Sequence, residues 1–127
     1  MISISYNKDL HEEMLITWYK QWDICYEDIN ILPDTGLIIP NVCAVFLYKT
    51  NSLVCMIENL ICNKDCNISD RQNGLDIISK EIIEMAKNCG FTKIISLVSN
   101  PSVINRCLDQ KYTISEDKFH IMIRSFK

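Results

Sequence analysis

Between residues 75 and 89 the apolar side chains Leu75, Ile78, Ile82, Met85, Ala86 and Cys89 repeat at the spacing of one helical face, and Asp76, Lys80, Glu84 and Lys87 fall opposite them. Gly90 closes the pattern. On either side lie short apolar, β-branched runs, residues 53–61 and 91–99, of the kind that form buried strands. A helix between two such strands leaves few arrangements open: the strands are expected to be parallel and the crossover right-handed. Residues 53–99 are therefore predicted to form a β-α-β unit. Its ligand is expected beyond the carboxyl ends of the strands, where helix N-termini point.

The rest of the chain supplies partners for this unit. Residues 1–6 alternate Ile2, Ser3, Ile4 and Ser5 and predict a short strand. Residues 8–22 predict a helix with Leu10, Met14 and Trp18 on one line and Leu15, Tyr19 and Trp22 beside it, opened by Asp9 and Glu12 as an acidic capping pair. Residues 23–30 are polar and irregular, a short helix or a loop. Pro33-Asp34-Thr35-Gly36 predicts a tight turn. Residues 37–39, 42–48 and 53–61 then form an antiparallel meander, with a polar turn at 49–52. Residues 102–110 predict a short helix with Val103, Ile104 and Leu108 inward. Residues 118–126 predict a last strand alternating Phe119, Ile121 and Ile123 against His120, Met122 and Arg124, and 112–115 one more short strand. The expected fold class is α/β (α+β), a mixed, mainly antiparallel central sheet, in one domain spanning residues 1–127.

Several classes of function are disfavoured by composition. The chain has 127 residues, a net charge of −3 and scattered Lys and Arg, so no basic stripe awaits a nucleic-acid backbone. Its apolar runs are far shorter than the roughly 20 residues a membrane helix needs, and its first residues lack the basic and apolar regions of a secretory signal. Seven cysteines, an odd set mostly within apolar runs, suit a reducing cytoplasm. Cys62 and Cys66 are the closest pair, but zinc needs about four ligands, and no metal site is expected. The partner is expected to be a small molecule, and the chain a monomer or homodimer.

Three stretches hold the candidate chemistry. Arg71-Gln72-Asn73-Gly74-Leu75 opens the long helix, where free backbone N–H groups and the helix dipole favour a phosphate and glycine allows close approach. A plain helix start competes with that reading, since Ser69 to Gln72 fits a capping box with Gly74 inside the helix. Glu58 is a lone carboxylate in an apolar strand, either a general base or one half of an ion pair with Lys or Arg. Cys107 is a lone thiol among apolar residues and by itself reads as a packing residue. His11 and His120 have no visible nucleophile or metal beside them and read as surface or satisfied core histidines.

The order of elements, together with Arg71 and Gly74, resembles the GNAT-type N-acetyltransferase superfamily. The family's cofactor loop runs Gln or Arg, two residues, Gly, one residue, Gly or Ala; Arg71 and Gly74 match it and Asp76 does not. The connection 62–71 is longer than usual there. Asn100, Cys107 and the Lys111-Tyr112 pair keep the spacing of the family's asparagine, tyrosine and Gly-Phe pair, with Cys107 and Lys111 departing in kind. The resemblance implies acetyl-CoA as acyl donor, held by Leu60, Ile61 and Cys62 at its pantetheine arm and by Arg71, Gln72, Asn73, Gly74, Leu75 and Asn100. It implies Glu58 as base, Cys107 and Tyr112 as proton-donating candidates, and an unidentified amine as acceptor. The departures leave a second reading: a module that keeps the fold, and with it coenzyme A, without turnover.

Overall fold

A computed structural model of the chain describes residues 1–24 and 31–126. The expected helix or loop at 23–30 lies almost wholly outside them. The chain divides into two compact units, Met1–Leu97 and Val98–Lys127.

The first unit is a five-stranded sheet in the order β1 (Ile4–Ser5), β2 (Gly36–Ile39), β3 (Cys43–Tyr48), β4 (Val54–Cys62), β5 (Lys93–Ile95). Every neighbour pair is antiparallel except β4 and β5, which are parallel and joined through the long helix α2 (Ile68–Asn88). The predicted meander and crossover are thus both present. Helix α1 (Lys8–Gln21) covers one face and α2 the other.

Strand alternation sorts the core into two layers. Leu37, Ile39, Cys43, Val45, Leu47, Cys55 and Ile57 pack with Ile78, Ile82 and Ala86 of α2. Ile38, Ala44, Phe46 and Ile61 pack with Leu15, Trp18 and Tyr19 of α1, where the Tyr6 and Phe46 rings meet edge to face at 4.9 Å. The α1 stripe is rotated from its predicted setting. Leu10 is 75% exposed and Trp22 40%, and His11 lies inward instead, its Nδ1 accepting the Asn7 N–H at 2.9 Å. Asn7, not Asp9, caps this helix, because its side chain reaches the Leu10 N–H from the extended conformation a cap requires.

The expected tight turn at 33–36 is a bend running straight into β2, with Gly36 the first residue of that strand. A Cβ at Gly36 would lie 2.7 Å from Phe46 Cδ1 and 2.8 Å from Val45 O, so the residue is small because the Phe46 ring sits over it. Gly90, at φ 92°, ends α2 as expected.

The second unit contains α3 (Pro101–Asp109), capped by Asn100, whose side chain accepts the Ser102 N–H at 2.8 Å. Its end closes as a Schellman motif: Lys111 N–H donates to Leu108 O at 3.1 Å and Tyr112 N–H to Cys107 O at 3.0 Å. Lys111 holds the left-handed position at φ 70°, the conformation that glycine favours. The strands predicted at 112–115 and 118–126 do not form among the described residues, and Phe119, Ile121, Met122, Ile123 and Phe126 are all exposed. An alternating pattern becomes a strand only against a pairing edge, and the described residues of this unit include no strand. Val103, Ile104 and Leu108 are likewise not buried.

Candidate functional site

The site expected beyond the carboxyl ends of β4 and β5 is built around an irregularity in β4. Phe46 of β3 pairs with Glu58, and Ala44 with Ile61, so two steps along β3 match three along β4. The extra residue makes a β-bulge at Asn59, whose φ is 59°. The bulge inverts the alternation: Cys55 and Ile57 face α2 before it, whereas Leu60 and Cys62 face α2 after it and Ile61 turns to α1. Glu58, the last residue before the bulge, shares the α1 face with Phe46, its partner across the ladder. Asparagine accepts the left-handed conformation more readily than other non-glycine residues, and its Nδ2 donates to Tyr48 Oη at 2.5 Å.

Parallel pairing between β4 and β5 ends at Met56 and Ile95, while β4 runs on to Cys62. Two bonds cross the beginning of the resulting opening. Ser96 Oγ donates to Ile57 O at 2.7 Å, and Leu97 N–H donates to Glu58 Oε1 at 2.5 Å. The Glu58 carboxylate thus has a backbone N–H as a partner, where the sequence left a general base or an ion pair with Lys or Arg open. Burial pushes its pKa above the ordinary 4.5, against the opposing effect of the Leu97 N–H.

Farther along β4, Ile61 is buried against the α1 layer, whereas Leu60 and Cys62 are half-buried. Asn63 N–H donates to Val42 O at 2.8 Å, so ladder alternation turns the Cys62 N–H and C=O away from β3. The Cys62 carbonyl accepts Trp22 Nε1–H at 2.8 Å, and Lys64 Nζ lies 4.8 Å from the centre of the Trp22 ring. Gln21 fastens the end of α1 to the same loop, donating to Asn63 Oδ1 at 3.0 Å and accepting from Lys64 N–H at 2.8 Å. Burial raises the Cys62 thiol, and the nearby Arg71 charge partly offsets the rise.

The long helix starts one turn earlier than the 71–75 stretch predicts. Its cap is Asn67, which accepts the Asp70 N–H at 2.8 Å and donates to the Asp70 carboxylate at 2.8 Å. The Arg71 N–H is occupied by Asn67 O at 3.0 Å. Among the described residues, the N–H groups at the helix start that find no partner are those of Ile68 and Ser69, not those of residues 71–75. Neither the capping box at Ser69 nor a loop at Gly74 forms; the long connection expected at 62–71 is a five-residue loop, 63–67, and a helical turn. The Arg71 guanidinium donates to Lys64 O at 3.4 Å. Gln72 and Asn73 are exposed, and Leu75 packs against the α2-side core. Gly74 is buried: a Cβ there would stand 2.5 Å from Val42 Cγ1 and 3.3 Å from Cys43 Sγ, so its smallness lets α2 approach β3. Asp76 is exposed, away from that contact.

Of the remaining sequence candidates, Asn100, Cys107 and Tyr112 belong to the second unit, where Asn100 caps α3 and Cys107 is half-buried. Among the described residues no group of three or more His, Cys, Asp or Glu side chains is arranged to hold a metal. No described helix is long and apolar enough to cross a membrane. Sequence reasoning missed Asn59, Tyr48 and Ser96. The one signal available was an asparagine inside an apolar strand, a residue that strands disfavour.

No family model and no curated protein matches the chain by sequence. Solved structures do match by shape. A protein from Agrobacterium tumefaciens with a provisional acetyltransferase assignment superposes with a TM-score of 0.69 at 13% identity, covering 98% of this chain and 100% of its own. An aminoglycoside acetyltransferase from an uncultured soil metagenomic sample, solved with sisomicin, gives 0.65 at 10% identity over 98% of this chain and 95% of its own. An aminoglycoside N-acetyltransferase solved with CoA gives 0.53 at 18% identity, with 98% of each chain covered. With its mostly antiparallel five-stranded sheet and its β-α-β crossover, the chain carries the fold seen in the GNAT-type N-acetyltransferases.

Proposed function

We propose that this chain, its two units acting as one domain, is an N-acyltransferase that moves an acetyl group from acetyl-CoA to an amine of a small molecule or protein. The observation that carries this reading is the opening beside β4: pairing with β5 stops at Met56 while β4 continues to Cys62, which the loop 63–67 joins to the start of α2. Exposed strand backbone suits an extended amide-bearing arm such as pantetheine. The free N–H groups of Ile68 and Ser69, with the Arg71 side chain close by, suit its phosphates. That donor set fits coenzyme A.

Acyl transfer to an amine requires loss of a proton from the ammonium, and Glu58 is the group that accepts it. Its raised pKa, from burial, makes it a stronger base than an exposed carboxylate. One carboxylate oxygen is held by Leu97 N–H, which orients the other. Cys107 and Tyr112 are the proposed proton donors to the departing thiolate, and Asn100 a cofactor contact. Two of the solved structures of this fold are aminoglycoside acetyltransferases, which places aminoglycosides beside polyamines, amino acids and lysine peptides in the acceptor panel.

One observation favours the second reading, a coenzyme A-binding module without turnover. The helix begins at Ile68, its cap Asn67 already holding the Asp70 N–H, and Gly74 is taken up by packing, so fewer backbone donors remain than the family's loop offers. Calorimetric titration with acetyl-CoA, followed by thiol release across the panel, separates the cases. Binding with amine-dependent thiol release supports the enzyme; binding without it supports the module; no heat at millimolar ligand refutes both.

A further inference from the structure

Tyr48 lies outside the machinery described so far, yet it meets that machinery at its least regular point. On β3 it stands opposite Met56, and its hydroxyl bonds Asn59, three residues farther along β4. The phenol therefore extends along β4 past the position of Glu58, on the α1 face that both residues share. The Tyr48 hydroxyl is held above its ordinary pKa, first by burial and then by the Glu58 charge, with the Asn59 bond opposing, which agrees with that closeness. Tyr48 is half-buried against the α1 layer, so its ring is constrained from behind.

The bond also acts on the strand itself. Asn59, the residue directly after Glu58, turns through the left-handed region, and the bulge it makes ends the regular ladder at Glu58 and sends Leu60 to the α2 face. Because the bulge begins at the residue after Glu58, a change in it alters the backbone that aims the Glu58 carboxylate at Leu97 N–H. We propose that Tyr48 and Asn59 form a positioning pair for Glu58: their bond fixes the bulge, and the phenol walls one side of the carboxylate. The effect on turnover rests on the acyl-transfer reading; the effect on the carboxylate does not.

The test uses the full chain and Tyr48→Phe, Asn59→Gly and the double variant. Asn59→Gly keeps access to the left-handed conformation while removing the amide. Glu58→Gln serves as the reference for complete loss of the charged bond. In amide NMR spectra without ligand, the Leu97 N–H should resonate far downfield, as a short bond to a carboxylate requires. Each single variant should move it toward the Glu58→Gln position and raise its exchange rate about 10-fold. The double variant should add little, since both changes break one bond. With acetyl-CoA and a panel amine that turns over, each single variant should lower kcat about 10-fold at unchanged KM for acetyl-CoA. A Leu97 resonance unmoved in both single variants, or moved additively in the double, overturns the pair. Absence of any turnover by the wild type counts against acyl transfer, and the amide shifts still decide the pair.

Discussion

Gly74 offers the sharpest test, because the two roles a glycine could have there predict opposite results. In the middle of α2, replacing glycine by alanine should raise helix stability by about 0.8–1.0 kcal/mol. Against this, the new methyl would fall 2.5 Å from Val42 Cγ1, and Val42 is nearly buried at 9% exposure. Overpacking of this kind costs about 1–3 kcal/mol. Gly74→Ala should therefore be neutral to about 2 kcal/mol destabilising. Removing the obstacle changes the sign. Val42→Ala alone should cost about 1.6 kcal/mol for two buried carbons, and in that background Gly74→Ala should stabilise by up to about 1 kcal/mol, since the worst clash is gone and only the milder contact with Cys43 Sγ at 3.3 Å opposes the helix propensity. Urea unfolding of the four proteins, read at the midpoint with the slope checked for constancy, closes the cycle. Equal stabilisation by Gly74→Ala in both backgrounds would mean that α2 does not approach β3 closely. Equal destabilisation in both would place the clash elsewhere than Val42. Either result defeats the reasoning.

Further outcomes follow from the same geometry. Asn67→Ala should lower stability by about 1 kcal/mol through loss of the cap, and Ser69→Ala should have little effect, as thermal or urea unfolding would show. Arg71→Glu should weaken acetyl-CoA binding in calorimetry with little change in melting temperature, because it puts a like charge beside the phosphates. Glu58→Gln should cut turnover by roughly 10²-fold while leaving acetyl-CoA affinity nearly intact. Since the folded-state pKa of Glu58 lies above its ordinary 4.5, wild-type stability relative to Glu58→Gln should be greatest below that value. It should fall as pH rises through the folded-state pKa and level off above it, measured by urea midpoints between pH 4 and 8.

The parts of the fold that periodicity governs are legible in the amino-acid sequence alone. The 75–89 face, the stop at Gly90 and the apolar runs on both sides were enough for a crossover and a parallel pair, because few other arrangements bury such segments. The helix start was not legible. Asn67 with Asp70 and Ser69 with Gln72 both have cap spacing, and burial of Gly74 against Val42, a tertiary fact, accompanies the first. Glu58 was found as the lone carboxylate of its strand, but its partner, a backbone N–H 39 residues away, leaves no trace in composition. The bulge escaped for a related reason: both sides of it are apolar, so the inverted phase at Asn59 looks like one continuous strand. Residues 118–126 erred in the other direction, showing an alternation for which their unit provides no edge.

That inverted phase has a practical consequence for anyone diversifying this protein. Along most strands, choosing every second residue selects one surface. On β4 the same choice selects two: even positions up to 58 tune the layer under α1, and even positions from 60 onward tune the layer under α2. A library drawn with uniform spacing across 54–62 would therefore disturb both cores at once. One whose spacing steps by three at Asn59 would alter a single face and leave the other as a constant background.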